Sequence, residues 1–305
     1  GVAELRDRVE DELPDWERER LVLPLSDDAM SLVSWVHDHG YVAEETYAGD
    51  QVTVAIPESA AAQGLSVRVG GHTDTLWNKE TIERFPAISR SFELVSPQTT
   101  VASAFGGLLY VEVPGGTDLG MVDVTFSGVV PAPYYVHGET TVEDWVSGIR
   151  DYPAPFAELA SDRLVMTFPS SYAADMDDPQ EIMDFWDTVL DSMANLEGSG
   201  PERVRPERFT MDRQISVGWM HSGYPLMGHV TGTLDLLDVA TIQAEGSWGP
   251  FHELGHNHQW ADWILPGTTE ATCNLWSVHT SEEVCGISRD LAHPAISPES
   301  RAERI

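Results

Sequence analysis

Residues 251–259 read FHELGHNHQ and contain the pattern His-Glu-x-x-His. Positions i and i+4 of a helix lie on one face, so His252 and His256 would direct two imidazoles at one ion. Glu253 follows the first histidine and would reach a water molecule bound to that ion. Two neutral imidazoles beside a carboxylate base are typical of zinc hydrolases. The stretch therefore predicts one Zn2+ per chain, with Glu253 as the catalytic general base.

The third zinc ligand has two candidates, Asp262 and Glu270. Asp262 lies six residues after His256, where the metzincin pattern HExxHxxGxxH/D places its last ligand. That pattern needs a glycine where this chain has Gln259, and it needs a methionine turn downstream, whereas no methionine follows Met227. The metzincin interpretation therefore fails on two independent counts, and Glu270 is the predicted ligand.

Glu270 lies in a stretch that is typical of a second helix. Pro266 and Gly267 would end the first helix, and Thr268 would cap the second. Two antiparallel helices with a short connection would bring Glu270 to the same ion as the imidazoles. Asn274, one turn further on, either orients a liganding imidazole through its second nitrogen or is an exposed amide.

The two metal-site segments, HELGHNHQ and TTEATCNLWSV (residues 268–278), resemble the M60 (enhancin-like) zinc metallopeptidases, a gluzincin family. Further segments that resemble this family are VRVGGHTDTL (67–76), GGLLYV (106–111), PAPFAEL (153–159) and QISVGWMHSGYP (214–225). The resemblance covers about residues 45–285. It implies a gluzincin fold and a peptidase activity, which in several members is directed at mucins and other O-glycosylated proteins. Animal relatives include channel-associated proteins in which the metal motif can be degraded, but here the ligands and Glu253 are intact.

The segment after residue 213 is the predicted substrate-binding edge. Residues 214–219 are expected to form a strand, and glycines in this region allow close backbone approach. By resemblance to gluzincins, the edge strand above the metal helix pairs with the substrate backbone. Tyr224 is a candidate donor to the oxyanion, with a structural tyrosine as the alternative. The predicted substrate-binding residues are Gly218, Trp219, Met220, His221, Ser222 and Gly223.

The composition is strongly acidic: 50 acidic residues against 17 basic ones give a formal net charge of −33. This charge argues against nucleic acid as a partner and against anionic membranes. Spread along the chain, the acidity indicates either adaptation to a saline environment or compositional drift; we favour the former. No window of membrane-spanning length is free of charges and helix breakers, so no membrane insertion is expected.

The chain is expected to belong to the α+β class, in three parts. Residues 1–44 are predicted to be a helical segment, residues 45–135 a β-sandwich-like subdomain, and residues 136–305 the zinc metallopeptidase subdomain with the HExxH helix and the adjacent ligand helix. Alternating runs at 51–56, 65–69, 108–113 and 121–126 predict strands of the sandwich. In the last part, Thr140 and Glu143 suggest a capping box, and Asp178-Pro179 opens a helix that closes near Gly198.

Two further observations leave alternatives open. Cys273 and Cys285 either form a disulfide behind the metal-site helix or are two buried thiols. Four tryptophans near the motif are typical of a core, and a surface on which a sugar ring stacks is the alternative for one of them: Trp248, Trp260, Trp263 and Trp276.

The sequence thus predicts a secreted or cell-surface zinc endopeptidase that acts on O-glycosylated, mucin-like proteins, with a protein or glycoprotein as its partner and zinc as its cofactor. Two alternatives are a glycoprotein- or partner-binding module without turnover and a general zinc endopeptidase with no glycan requirement.

Overall fold

A computed structural model describes residues 50–115, 117–200 and 205–304, and the chain divides into two compact units between residues 130 and 131. The predicted helical segment 1–44 lies outside the described residues. Within the described part, no helix is both long enough and apolar enough to cross a bilayer.

The first unit contains short antiparallel strands in two sheets. They pair in the orders β4-β1-β6 and β3-β2-β5, and buried side chains of both sheets, including Val54, Val67, Leu94 and Val101, form one core. This arrangement confirms the β-rich, sandwich-like N-terminal region. The strands are β1 (Val52–Ala55), β2 (Ser66–Val69), β3 (Arg90–Glu93), β4 (Gln98–Val101), β5 (Leu109–Glu112) and β6 (Thr125–Ser127).

The strand expected at 121–126 is shifted in the structure, because β6 begins only at Thr125. Val122 and Val124 still pack against the core from outside the strand. The partial burial of Val122 and Val124 explains the alternating pattern. The alternation indicates which side chains face the core, but it does not show that the backbone pairs in a sheet.

The second unit is built on one mixed six-stranded sheet in the order β11-β12-β10-β9-β8-β7. The central strands β8, β9 and β10 are almost continuously buried, as expected of strands covered on both faces. β11 lies at the sheet edge, antiparallel to β12, with His221 opposite Met227. The strands are β7 (Tyr134–Val136), β8 (Phe156–Ala160), β9 (Leu164–Pro169), β10 (Glu207–Asp212), β11 (Met220–His221) and β12 (Leu226–His229).

Helices pack on this sheet, and the longest, α2, begins and ends as predicted. The Asp178 carboxylate accepts from the Glu181 amide at 3.0 Å, Pro179 is the first helical residue, and Gly198 ends the helix with φ of 83°. The helices are α1 (Val142–Ser147), α2 (Pro179–Glu197), α3 (Leu234–Leu237), α4 (Val239–Glu245), α5 (Trp248–His258), α6 (Thr269–Thr272), α7 (Asn274–Glu283) and α8 (Pro298–Arg304).

Both predicted threonine caps are wrong in detail. At α1 the cap is Thr141, whose hydroxyl accepts from the Asp144 amide, while Thr140 accepts from the amide of Val136. The second ligand helix is two helices, α6 and α7, separated at Cys273. Thr268 precedes α6, but its hydroxyl donates to the carbonyl of Leu265 and does not cap the helix.

The prediction of a strand at residues 214–219 is also wrong. Those residues form bends, and the strand starts at Met220. Gly218 adopts a φ of 64°, in the left-handed region, which an extended run cannot accommodate. The apolar alternation of Ile215 and Val217 suggested a strand, but the backbone turns here before it enters the edge of the sheet.

Candidate metal centre

Helix α5 holds the two histidines of the motif against the core of the second unit. Phe251 and Leu254 are fully buried, and the Phe251 ring lies 5.9 Å from that of Trp186 on α2. This packing fixes the rotation of α5 about its axis, while the spacing of four residues puts His252 and His256 on one face. Their ring centroids are 4.7 Å apart, and their Nε2 atoms are separated by 3.1 Å.

Glu270 on α6 completes a three-residue cluster. Its Oε2 lies 3.2 Å from the Nε2 of His252 and 3.4 Å from that of His256. Asp262, the rejected candidate, is exposed and lies outside this cluster of possible ligand atoms. The structure therefore brings together the three residues for which a shared metal was predicted.

The distances within this cluster fit a zinc ion. Bonds of about 2.0–2.1 Å at tetrahedral angles separate neighbouring ligand atoms by about 3.3–3.4 Å. The three observed separations are 3.1, 3.2 and 3.4 Å. Two nitrogen donors and one carboxylate oxygen also form a donor set that Zn2+ accepts, and they leave a fourth position for water or substrate.

Two side-chain amides orient the imidazoles. The Nδ1 of His252 lies 2.6 Å from the Asn274 Oδ1, and the Nδ1 of His256 lies 3.0 Å from the Gln259 Oε1. An amide oxygen only accepts, so each Nδ1 carries the hydrogen and each Nε2 presents its lone pair to the centre. The orienting role predicted for Asn274 fits this geometry.

Gln259 is a site residue that the sequence analysis missed, since it served there only as evidence against a metzincin. Besides holding His256, its Nε2 donates to the Thr269 carbonyl at 2.7 Å and to the Thr272 hydroxyl. Gln259 therefore ties the end of α5 to the helix that carries Glu270. Its position three residues after His256, just beyond the helix, was the available signal.

Cys273 also lies at the centre, but its sulfur does not have the position of a ligand. Its Sγ is 3.5 Å from the Nδ1 of His252 and 3.7 Å from the Nε2. A thiolate bound to the same ion as Nε2 would be much nearer to Nε2 than to Nδ1. The near-equal distances place the sulfur against the imidazole ring, where it packs.

Burial, reinforced by the negative charge of Glu270, raises the pKa of the Cys273 thiol to about 12. Cys273 and Cys285 are both free, so the disulfide alternative is not realised.

Gly255 sets how closely the two helical segments approach. A Cβ added there would collide with the carbonyl oxygen of Cys273 and lie 3.3 Å from the Cβ of Trp276. Only a glycine in the HELGH motif lets the chain carrying Asn274 pass this close to α5.

Two family models match the chain. The model of peptidase M60, enhancin and enhancin-like, matches residues 128–304, and that of the N-terminal domain of M60-like peptidases matches residues 41–127. The chain belongs to the M60 peptidase family. The boundary between the two matches lies within a few residues of the boundary between the two structural units.

Among curated M60 relatives, TRPM8 channel-associated factor 2 of Bos taurus is 44% identical over 258 residues, which is 84% of this chain and 28% of that protein. The human protein of the same name is 42% identical over 272 residues, or 89% of this chain and 29% of that protein. The chain thus spans less than a third of the length of these relatives.

Solved structures share the M60 fold at low identity. A mutant of a functionally unknown conserved protein from Bacillus anthracis str. Ames superposes with a TM-score of 0.63 and 21% identity, over 79% of this chain and 49% of that one. The M60 catalytic domain of ZmpC from Clostridium perfringens, solved with the sialyl T antigen, gives 0.57 and 14%, over 76% and 50%. At these identities the likeness shows the fold alone.

The edge of the M60 sheet lies beside the metal helix. Asn257, the residue after His256, makes two hydrogen bonds with the backbone of Gly223. Its Oδ1 accepts from the Gly223 amide at 3.1 Å, and its Nδ2 donates to the Gly223 carbonyl at 3.0 Å. Within the described residues, β12 is the only sheet neighbour of β11. Met220–His221 is therefore an edge strand of this sheet.

The remaining predicted substrate residues lie around this edge. His221 and Ser222 are half-buried, and the His221 Nδ1 lies 2.9 Å from the Ser222 carbonyl. Tyr224 is 43% exposed, and the guanidinium of Arg205 lies 3.4 Å from its ring centroid. Tyr224 is thus anchored near α5 through Gly223, and its contact with Arg205 was not foreseen.

Proposed function

We propose that the chain is a zinc-dependent endopeptidase that hydrolyses peptide bonds in O-glycosylated proteins. The observation that carries the proposal is the convergence of His252, His256 and Glu270 at zinc-ligand separations in an M60 domain that retains Glu253. When bound, zinc would lower the pKa of a coordinated water to about 7 and polarise the scissile carbonyl.

Glu253 is the proposed proton carrier. It is half-buried on α5, next to His252. In the described part of the chain, no group hydrogen-bonds its carboxylate, which is therefore available to a water molecule. We infer that Glu253 accepts the proton of the attacking water on a carboxylate oxygen and returns it to the leaving amine.

The edge strand β11 would hold the substrate. An extended peptide added there gains main-chain hydrogen bonds and lies along α5, beside the metal ligands. Tyr224 remains the proposed donor to the oxyanion, since Asn257 fixes the preceding glycine to α5. This binding mode places few demands on the peptide side chains, so recognition would depend on a substituent such as a glycan.

The O-glycoprotein substrate class is supported by a structural neighbour whose M60 catalytic domain was solved with the sialyl T antigen. The acidic composition supports an extracellular, saline location, which we propose on that basis alone.

A second function is favoured by the similarity to TRPM8 channel-associated factors. In that case the domain would bind a protein partner without turning it over. The intact set of His252, Glu253, His256 and Glu270 favours the peptidase, because partner binding alone gives no reason to keep a base beside a metal site.

The test uses one peptide in three forms: bare, carrying a neutral O-glycan, and sialylated. Zinc-loaded protein should cleave the neutral glycopeptide fastest, because negative charge on the sugar is disfavoured by an acidic surface at low salt. Mass spectrometry follows the products, and Glu253→Gln, which keeps the shape of the side chain, is the inactive control.

Three outcomes would change the conclusion. Equal cleavage of the bare peptide would leave a general zinc endopeptidase. Cleavage by Glu253→Gln at the wild-type rate would refute the proposed base. Tight binding of the glycopeptides without any cleavage by the zinc-loaded wild type would establish the binding module.

A further inference from the structure

The edge strand β11 contacts helix α5, and the chain on each side of the strand is attached to that helix. Before the strand, the six-membered ring of Trp219 packs on Gly249 in the first turn of α5, where an added Cβ would lie 3.6 Å from Cζ3. After the strand, the amide and the carbonyl of Gly223 are both hydrogen-bonded to Asn257 in the last turn of α5. The edge is therefore held at both ends by the helix that carries the two imidazoles.

The spacing of these two contacts agrees with a strand that runs along the helix. Gly249 and Asn257 are eight residues apart, which is about 12 Å along an α-helix. Trp219 and Gly223 are four residues apart, which is about 13 Å along an extended chain. Since the two lengths agree, the segment that contains β11 lies alongside α5 from its first turn to its last.

The two contacts differ in what they determine. Packing of an indole on a glycine has no preferred pairing of atoms, whereas a hydrogen bond weakens steeply with distance and angle. Asn257 uses its whole amide group: Oδ1 accepts from the Gly223 amide, while Nδ2 donates to the Gly223 carbonyl at 3.0 Å and to a Glu207 carboxylate oxygen at 2.8 Å. The hydrogen bonds of Asn257 therefore determine where the edge lies along the helix.

These three partners require an amide. An amide nitrogen has two hydrogens, and the two acceptors of Asn257 use both of them. An aspartate would still accept from the Gly223 amide, but it would turn an oxygen toward the Gly223 carbonyl and toward the Glu207 carboxylate. Glu207 begins β10 of the same sheet, so the side chain of Asn257 joins α5, the edge and a central strand.

We propose that Asn257 is a positioning residue that sets the register of the substrate strand relative to the zinc ion, an inference that rests on the proposed peptidase function. Asn257 directly follows the ligand His256, so a shift of Gly223 relative to Asn257 is also a shift of the edge relative to the metal. A peptide that pairs with β11 takes its register from that strand. Tyr224, the proposed oxyanion donor, is the next residue after Gly223 and moves with it.

The test measures ligand binding to the zinc-loaded full chain and therefore needs no turnover. A hydroxamate built on the neutral glycopeptide would bind the zinc with its hydroxamate and the edge with its backbone, whereas acetohydroxamate binds the zinc alone. Asn257→Asp should weaken the peptidyl hydroxamate about tenfold, because its two halves no longer fit together, and leave acetohydroxamate within about twofold. In the cleavage assay kcat should fall while KM changes little, since a peptide that misses the zinc can still pair with the edge.

Glu207 allows a rescue of this variant. Glu207→Gln keeps an oxygen that accepts from Asn257, so it should change the affinity for the peptidyl hydroxamate less than about threefold. The double variant Asn257→Asp/Glu207→Gln restores their hydrogen bond with donor and acceptor exchanged, and should therefore bind more tightly than the sum of the two single effects predicts. Asn78→Asp, which adds the same charge at an exposed residue of the first unit, is the control and should change neither affinity.

Zinc affinity and melting curves separate positioning from structural support. Neither should fall appreciably in Asn257→Asp, because the zinc ligands and their orienting amides are unchanged. If this variant does not fold, Asn257→Ala removes the amide without adding a charge and should give the same selective loss of the peptidyl hydroxamate.

The proposal is overturned if loss of the Asn257 amide weakens both hydroxamates equally or lowers zinc affinity, which indicates support of α5, or if it weakens neither. A double variant that shows no coupling would also overturn it, as would a wild-type chain that binds the peptidyl hydroxamate no better than acetohydroxamate. Asn257-dependent binding of the peptidyl hydroxamate in a wild-type chain that cleaves no peptide would refute the peptidase and leave the positioning role standing.

Discussion

Helices α5 and α6 supply ligands to the same candidate metal centre, but they hold those ligands in different ways. On α5 the side chains of His252 and His256 are 17% and 12% exposed, and each imidazole is oriented by an amide. On the four-residue α6, the side chain of Glu270 is 79% exposed. Two ligands are therefore preorganised by the core, while the third depends on a short exposed segment.

The largest effects should follow removal of the ligands themselves. His252→Ala or His256→Ala should reduce zinc from about one ion per chain to none after dialysis, measured by elemental analysis. Glu270→Ala should weaken zinc binding strongly without abolishing it, because the preorganised imidazoles remain.

Asp262→Ala is the control for these variants and should leave the zinc content unchanged. If it lost the metal while Glu270→Ala kept full occupancy, the assignment of the third ligand, and with it the contrast between α5 and α6, would be wrong.

Loss of an orienting amide should have the next largest effect. Asn274→Ala and Gln259→Ala should each lower zinc affinity about 10–100-fold, the range found for residues that orient ligands, as measured by chelator competition. Gln259→Ala should be the more damaging of the two for thermal stability, since Gln259 also joins α5 to α6. Wild-type affinity in both variants would mean that the packing of α5 alone orients the imidazoles.

Gly255→Ala tests the contact that brings the two segments together. The added methyl collides with the Cys273 carbonyl, so α5 and the start of α7 must separate. We expect a loss of about 1–3 kcal/mol in the free energy of unfolding, measured by denaturant titration. Gly249→Ala is the control, because its added methyl meets only ordinary contacts and should lower the free energy of unfolding less. Gly267→Ala would not serve, because a φ of 81° strains any residue other than glycine.

The smallest effect concerns the surface charge. With a formal net charge of −33, self-repulsion in dilute buffer should lower stability, and the Debye length falls from about 10 Å at 0.1 M salt to about 3 Å at 1 M. The melting temperature should rise between 0.1 and 2 M NaCl. A flat or falling curve would favour compositional drift over adaptation to salt.

The sequence was most informative where spacing alone determines geometry. His252 and His256 lie one helical turn apart, so their shared face followed from helix periodicity, and Glu270 and Asn274 followed from the next helical pattern. The same local reasoning found the ends of α2 at Asp178 and Gly198, because caps depend on adjacent residues.

It was least informative where a contact joins residues distant in the chain. The apolar alternation of residues 214–219 could not show that Gly218 turns the backbone before the strand. The packing of Trp219 on Gly232 and of Cys273 against His252 depends on how segments distant in the chain come together. Strands β3 and β4 likewise owe their existence to pairing with β2 and β1, which no local pattern specified.

Zinc K-edge X-ray absorption of the zinc-loaded chain tests whether His252, His256 and Glu270 form one zinc centre that excludes Cys273. We expect four-coordinate zinc with nitrogen and oxygen neighbours at about 2.0–2.1 Å, including the scattering of two imidazoles, and no sulfur. A sulfur neighbour at about 2.3 Å, or a spectrum with fewer than two imidazoles, would contradict it.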